Sequence, residues 1–325
     1  MKTRCREAVD RSMTALAVIL AVTVLTQAKE TPASERLFFS TDVHNKPGQL
    51  ENQLKYNCLN SAGQNICNFV GLVGDLNFGD PNVLYSTDAD IESLIGEDGY
   101  IDDTLGDEGV DYNVALSQGN HDEYGNDYFD DGNHPSGFVA LSNNELYDIY
   151  RINTEDFGAI CSQLDSDLYQ LGPDYNKVIF VMSHFPLHSD RYDIDAAAAS
   201  CIFEILQDAA VNYGREIVFL WGHNHYRPGR PNYDENVRMI AGPGNTVAED
   251  VTVAPPSPYL NSNAFEALEF SYVNAGYTIA ASEENPEMSS STVFVVIDTW
   301  IAIMRYIGNT NSGGFKLVQR KPWRD

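Results

Sequence analysis

"IVFLWGHNHY", residues 217–226, runs from five apolar residues through a glycine into two histidines separated only by Asn224. An unbroken apolar run of this length suits a strand buried on both faces, because a half-buried strand would alternate. In extended backbone, residues i and i+2 point to the same side, so His223 and His225 face one space, their Cβ atoms roughly 6.5–7 Å apart. That separation is wide for two ligands of one small ion. It suits one ligand on each of two ions lying about 3.5–4 Å apart. Taken alone, the pair also reads as a polar turn that holds two histidines.

Working outward, the same arrangement recurs. Short β-branched or aromatic runs occur at Leu37–Thr41, Asn68–Val73, Asn113–Ser117, Val178–Met182, Ile217–Trp221 and Val237–Ala241. Five of the strand-ending segments finish on polar chemistry. "LFFSTDVH" ends in Asp42 and His44, "FVGLVGDL" carries Asp75, and "VALSQGNHD" carries Asn120, His121 and Asp122. "VIFVMSH" ends in His184, and the opening stretch ends in His223 and His225. A lone His184 would read as a satisfied residue at a strand end. Carboxylate, amide and imidazole delivered together by five strands form a ligand set for hard-to-borderline divalent metals. The carboxyl edge of strands in an α/β sheet is where such sites gather.

Asp195 to Tyr213 reads as a helix, with an acid at its start, Ile202, Ile205, Leu206 and Ala209 at helical spacing, and Gly214 as its stop. Thr292–Thr299 and Ile301–Ile307 read as a terminal hairpin. Strands separated by helices and long loops imply an α/β core rather than a stack of hairpins. Between Asp88 and Asp131 lie 15 Asp or Glu residues, read as a solvated acidic loop insertion centred on about 86–112. "DYFDDG" (127–132) fails as a calcium loop, because Phe129 falls where an oxygen ligand is needed.

The chain has 325 residues, enough for one large domain or two small ones. Its 47 acids against 20 bases give a formal net charge of −27. Such a surface repels nucleic acid and anionic membranes. Residues 1–28 read as a secretory signal: Lys2, Arg4, Arg6 and Arg11 precede an apolar run from Ala15 to Leu25, with a small-residue cleavage site near Ala28. Loss of that segment removes four bases and two acids, taking the formal charge from −27 to −29. The run is short for a membrane span, and an uncleaved anchor is the alternative. Residues 29–325 then form a single domain without stable membrane insertion. Cys58, Cys67, Cys161 and Cys201 would remain as an even set in an oxidising compartment. Cys58 and Cys67, nine residues apart between two strands, are placed for a local bridge. Cys161 and Cys201 flank the His184 strand and either pair or leave Cys201 buried in its helix.

The ordered set D-x-H, GD, GNHD, H and GHxH resembles the calcineurin-like metallophosphoesterase superfamily. It covers Leu37 to Tyr226, and all five motifs stand in the family's order. The resemblance implies a four-layer double β-sandwich flanked by helices, with a two-metal centre. Carried over, Asp42, His44 and His225 would hold one ion, Asp75 would bridge, and Asn120, His184 and His223 would complete the second. The ions would come from Mn, Fe, Zn or Ni, divalent or of mixed valence. Purple acid phosphatases, a branch of the superfamily, carry Gly where His44 stands and a metal-binding Tyr where Phe78 stands. A tyrosinate-bound ferric ion is therefore not expected.

The resulting expectation is a secreted phosphoester hydrolase in which a hydroxide held between two metals attacks phosphorus of a phosphomonoester or small phosphodiester. His121 would stand beside the leaving group, with Asp122 fixing its orientation and favouring its protonated form. His188, Arg191 and Tyr226 follow ligand motifs and would contact substrate. The alternatives are a dedicated phosphodiesterase acting on cyclic nucleotides or lipid head groups, and a non-catalytic secreted metal-binding scaffold.

Overall fold

Strand β1 (Ser34–Ser40) shows how the layers arise. Successive side chains of a strand point to opposite faces. Leu37 and Phe39 enter one apolar core, and Phe38 between them enters another. A strand of this kind must be covered on both sides, and in this computed structural model it is. Described are residues 34–44, 47–76, 94–95, 99–106, 109–122, 129, 134–142, 144–187, 194–223, 237–240, 246–247, 269–278, 290–298, 300–307 and 314–322. They belong to the unit Ser34–Asp325. The leader segment 1–28 lies outside the described residues.

The first sheet has seven strands. Parallel strands β1, β2 (Phe69–Val73) and β3 (Asn113–Ser117) form one side. The second has seven as well. It begins with β4 (Gly137–Phe138) and continues through the parallel set β5 (Tyr147–Ile152), β6 (Val178–Ser183) and β7 (Glu216–Trp221). Its far side holds β8 (Val237–Ile240), β9 (Thr246–Val247) and β10 (Ser271–Asn274), with β10 parallel to β7. The chain then returns to the first sheet as β11 (Gly276–Tyr277), β12 (Ser290–Ile297), β13 (Trp300–Ile307) and β14 (Gly314–Pro322). β12 runs antiparallel to β1.

Between the sheets lies a core of Phe39, Phe69, Phe180, Val218, Leu220 and Phe294, among others. Phe180 stacks on Phe39 at 5.5 Å and meets Phe294 edge-on at 4.9 Å. The outer face of the first sheet is covered by helices α1 (Pro47–Cys58) and α2 (Tyr100–Leu105). The outer face of the second is covered by α3 (Cys161–Gln170) and α4 (Ala196–Tyr213). The architecture is thus the four-layer double β-sandwich flanked by helices. α4 begins at Asp195, whose side chain accepts from the Ala197 and Ala198 N–H groups, and ends at Gly214 in the left-handed conformation.

Several expectations change. Of Val237–Ala241, Val237–Ile240 forms strand β8, which pairs antiparallel with β10 next to the edge strand β9, and Ala241 lies outside the described residues. The hairpin is not terminal, because β14 adds a third strand to it. The acidic insertion is not all solvated loop. Ile101 and Leu105, one turn apart, are 1 % and 2 % exposed and pack with α1, so Tyr100–Leu105 coils into a helix. Phe129, the residue that spoiled the calcium loop, is buried in the same cluster. The Cys58–Cys67 bridge ties the end of α1 to the entry of β2, with Cα atoms 4.9 Å apart. Cys161 and Cys201 also pair, fastening α3 to α4 with Cα atoms 6.2 Å apart.

Gly71 gives the inter-sheet core a direct test. It sits mid-strand in β2, and a Cβ there would lie 2.5 Å from Phe39 Cδ1 and 2.8 Å from Phe69 Cε1. Both rings occupy the volume a side chain would need. Gly71→Ala should therefore destabilise the fold by about 1–3 kcal/mol, as overpacking of a filled core does. Urea unfolding should show a lowered midpoint with an unchanged slope. A midpoint at or above the parent's would mean that the rings yield freely.

Candidate metal centre

The parallel registers align the carboxyl ends of the strands. Ser40 pairs with Leu72 and Leu72 with Leu116, while Met182 pairs with Leu220. The residues that follow these pairs therefore emerge at one edge. There the backbone turns sharply. Asp42 (φ 53°), His44 (φ 40°), Asp75 (φ 53°) and His223 (φ 69°) are the non-glycine residues with positive φ among those described. Positive φ costs L-residues roughly 1–3 kcal/mol each, and it gathers where surrounding structure and function demand it. Its concentration on four chemistry-bearing residues marks this edge as a site. Gly74 shows the crowding: a Cβ there would lie 2.5 Å from His184 Nδ1.

Asp75 is the centre. Its carboxylate is 2 % exposed, and its Oδ2 lies 3.3 Å from His44 Nε2 and 3.2 Å from His184 Nε2. Its Oδ1 accepts the main-chain N–H of His121 at 2.9 Å. His44 Nε2 also lies 3.7 Å from Asp42 Oδ1. On the other side, His184 Nε2 is 3.1 Å from Asn120 Oδ1 and 3.2 Å from His223 Nδ1. The Nδ1–H of His184 donates to the Val73 carbonyl at 2.9 Å, which fixes the ring and aims Nε2 inward.

The charges follow from this packing. Burial works against a charged His44, yet hydrogen bonds and charge from Asp42 and Asp75 outweigh it and push its pKa up to about 10. His184 is raised to about 9: burial opposes the charge, and Asp75 and Asp42 overcome it. Burial alone would raise Asp75, but His184 and His44 hold it well below the usual carboxylate range. Without metal, the cluster is held together by protons on two imidazoles.

Two overlapping groups of donors could hold a metal ion: Asp42, His44 and Asp75, and Asp75, His184 and His223. Within each group the donor atoms lie within 4.8 Å of one another, close to the spacing of ligands about 2.0–2.2 Å from one ion. The donor chemistry fits. A single His184 Nε2 position is ringed at 3.1–3.2 Å by Asp75 Oδ2, Asn120 Oδ1 and His223 Nδ1. One N–H serves three acceptors poorly, whereas a cation among the four would bind all of them. The mixture of imidazole, carboxylate and amide suits borderline divalent ions.

Of the residues singled out in the sequence, the structure brings together Asp42, His44, Asp75, Asn120, His121, Asp122, His184 and His223. His225, His188, Arg191, Tyr226 and Phe78 lie outside the described residues. His121 is half-buried, its ring edge-on to His44 at 5.3 Å. Asp122, expected to orient His121, is buried. In the structure its two oxygens accept the Leu76 N–H at 2.8 Å and the Gly119 N–H at 2.7 Å. The tight turn from Gly119 folds the carboxylate back onto the main chain, so Asp122 shapes the loop that carries Asn120 and His121.

Sequence reasoning missed the supporting residues. Thr41 Oγ1 lies 2.6 Å from the Val73 carbonyl and 2.9 Å from Asp42 Oδ2. Gln118 is clamped by the segment after β5: its Oε1 takes the Thr154 hydroxyl and the Glu155 N–H, and its Nε2 donates to Glu155. Thr41 sits directly before D-x-H, and Gln118 directly before GNHD, so adjacency to a motif was the available signal.

No family model and no curated protein sequence matches the chain. Among the solved structures that resemble it are three with the following likenesses. A predicted phosphoesterase from Streptococcus pneumoniae is 11 % identical, with 88 % of this chain and 98 % of that one covered and a TM-score of 0.35. Vacuolar protein sorting 29 from Cryptosporidium parvum is 10 % identical over 89 % and 98 %, with a TM-score of 0.40. Vps29 from Entamoeba histolytica, complexed with zinc, is 11 % identical over 89 % and 99 %, with a TM-score of 0.36. At TM-scores this low the likenesses add nothing to what the topology and the residues establish.

The raised histidines set a pH dependence whose sign is fixed. A group whose pKa is higher in the folded chain stabilises fully below its unfolded value, near 6.5, and that contribution is lost as pH rises through the folded value. For His44 and His184 the loss runs from about pH 6.5 through about 9 and 10. Melting temperature in chelator should therefore fall across this window. Added Mn2+ or Zn2+ should flatten or reverse the slope, because metal replaces the protons. A chelated protein whose melting temperature rises from pH 6.5 to 9 would contradict the charge assignment.

Proposed function

We propose that this protein is a two-metal phosphoester hydrolase. The observation that carries the reading is the place of Asp75, one buried carboxylate common to both donor groups. Asp42 and His44 would hold one ion, joined by His225. His184, His223 and Asn120 would hold the other. The metals would come from Mn, Fe, Zn or Ni. Bound there, they would supply Lewis acidity toward phosphate oxygens and bring the pKa of a water molecule toward neutrality.

The chain's own groups supply the rest. Asp75 keeps its charge in a dry site because His44 and His184 face it. The Val73 carbonyl holds His184 in one ring orientation. The Gly119–Asp122 turn sets His121 at the rim of the cluster, where its imidazole would hand a proton to the departing oxygen. The substrate would be a phosphomonoester or a small phosphodiester. Its negative charge would be drawn by the metal centre against an acidic surface of net charge −27. Secretion is part of the proposal, supported by the basic-then-apolar start of the chain and by two disulfides, which persist in oxidising compartments.

Metal-dependent turnover of para-nitrophenyl phosphate and of its bis ester tests the reading directly. Protein loaded with Mn2+ should hydrolyse at least one of them. Asp75→Asn should lower both metal content and turnover, by more than the about 10–100-fold that changes outside the ligand shell bring. Loaded, folded protein inactive on both esters, with metal retained, would favour the scaffold.

His121→Ala separates proton donation from packing. As a general acid, His121 should contribute about 10²–10⁴-fold in rate. The loss should be smallest with para-nitrophenolate as leaving group and largest with an alkyl alcohol, metal content staying constant. An equal loss for all leaving groups would assign His121 to charge stabilisation instead.

A further inference from the structure

Thr41 is buried and stands behind the donors rather than among them. Three contacts single it out. Its hydroxyl lies 2.9 Å from Asp42 Oδ2, an oxygen that also accepts the His223 N–H at 3.2 Å. It lies 2.6 Å from the Val73 carbonyl, which is the acceptor that orients His184. It fills the space beside Gly222, where any Cβ would overlap Thr41 Oγ1. One hydroxyl thus touches the supports of Asp42, of His184 and of the turn that carries His223. These residues belong to different strands and to both donor groups.

From this juxtaposition we infer that Thr41 is a positioning residue that couples the two metal sites. Resting on the two-metal reading, the inference extends it from the ligands to the atom that holds them in register. A hydroxyl has one proton to give, and Thr41 shares it among Asp42 Oδ2, the Val73 carbonyl and, at 3.4 Å, the Gly74 carbonyl. Asp42 is thereby held through Oδ2, while its Oδ1 lies 3.7 Å from His44 Nε2. The Val73 carbonyl is held from one side by Thr41 and from the other by His184 Nδ1. A shift of Asp42 moves the hydroxyl, and the hydroxyl moves the carbonyl on which His184 turns. Binding of the first ion therefore prepares the place of the second.

The test is Mn2+ binding to the metal-free full chain, followed by titration calorimetry, for wild type, Thr41→Val, Thr41→Ala and Thr41→Ser. Circular dichroism establishes that each is folded. Thr41→Val keeps the shape without the hydroxyl, and Thr41→Ala leaves room. Both should weaken the two binding steps together by about 10–100-fold, the usual effect of removing an outer-shell partner. Thr41→Ser restores the hydroxyl and should stay within about threefold of wild type. Folded Thr41→Val with both affinities unchanged, weakening confined to one step, or a Thr41→Ser as weak as Thr41→Val would overturn the inference. So would a Thr41→Val chain that does not fold, since the hydroxyl would then serve the fold and not the metals. Wild-type protein that binds no Mn2+ would instead end the two-metal reading itself.

Discussion

A buried carboxylate stays ionised only if positive charge answers it inside the protein. Asp75, 2 % exposed, imposes that demand at the end of β2. Taking such a charge out of water costs several kcal/mol after relaxation, and unpaired it would take up a proton instead. The answer comes from two directions, His44 from the same sheet and His184 from the opposite one. An arrangement of two acids and three imidazoles around one dry point is a poor way to gain stability. Replacing a buried ionic cluster with apolar side chains is often neutral or favourable. The cluster makes physical sense as a place kept ready for cations, with protons holding it in their absence.

The backbone carries a second burden at the same edge. Four residues with positive φ each raise the energy of the fold by about 1–3 kcal/mol. They persist because neighbours over-determine them. Asp42 donates its N–H to the Gly74 carbonyl, and Val43 donates to the Asp75 carbonyl, so the β1 and β2 pairing continues past both strands. The Gly222 N–H donates to the His184 carbonyl and does the same for β6 and β7. Strain is therefore tolerated where main-chain hydrogen bonds fix the turns at the ends of the strands.

Much of this was legible in the sequence because buried parallel strands are nearly pure apolar runs, and the polar residues that end them stand out. β3 starts and ends where its composition indicates, and β2, β6, β7 and α4 come within a residue. What was hidden was hidden for physical reasons. β5 reads "YDIYRI", and its Asp148 and Arg151 break the apolar run. Arg151 is tolerated there because its guanidinium donates to the Pro135 and Leu116 carbonyls, partners distant in sequence. α1 reads "PGQLENQLKYNC", polar on balance, and its inward Gln53 and Asn57 look like surface residues until they bond Ser40, Ser290 and Ser291 of neighbouring strands. Thr41 carries no signal of its own beyond adjacency to Asp42, since its importance lies in contacts 32 residues away in the chain.

The division of donors between the sheets links packing to chemistry. Asp42, His44, Asp75 and Asn120 come from the first sheet, His184 and His223 from the second. Asp42, His44 and Asp75 all stand on the first sheet, whereas the group of Asp75, His184 and His223 is complete only when the sheets sit at one separation and one rotation. That relation is set by rings such as Phe39, Phe180 and Phe294, far narrower in tolerance than a loop would be, because cores packed to crystal density shift little under load. At the site itself the sheets meet through His184, whose Nδ1 donates to the Val73 carbonyl and whose Nε2 faces Asp75 and Asn120, through the His223 N–H on Asp42, and through Gly74, which makes room for the His184 ring. The aromatic core thus acts as a spacer for the candidate metal centre, and the distances of 3.1 and 3.2 Å from His184 to Asn120 and Asp75 across the sheets are inherited from packing beneath it.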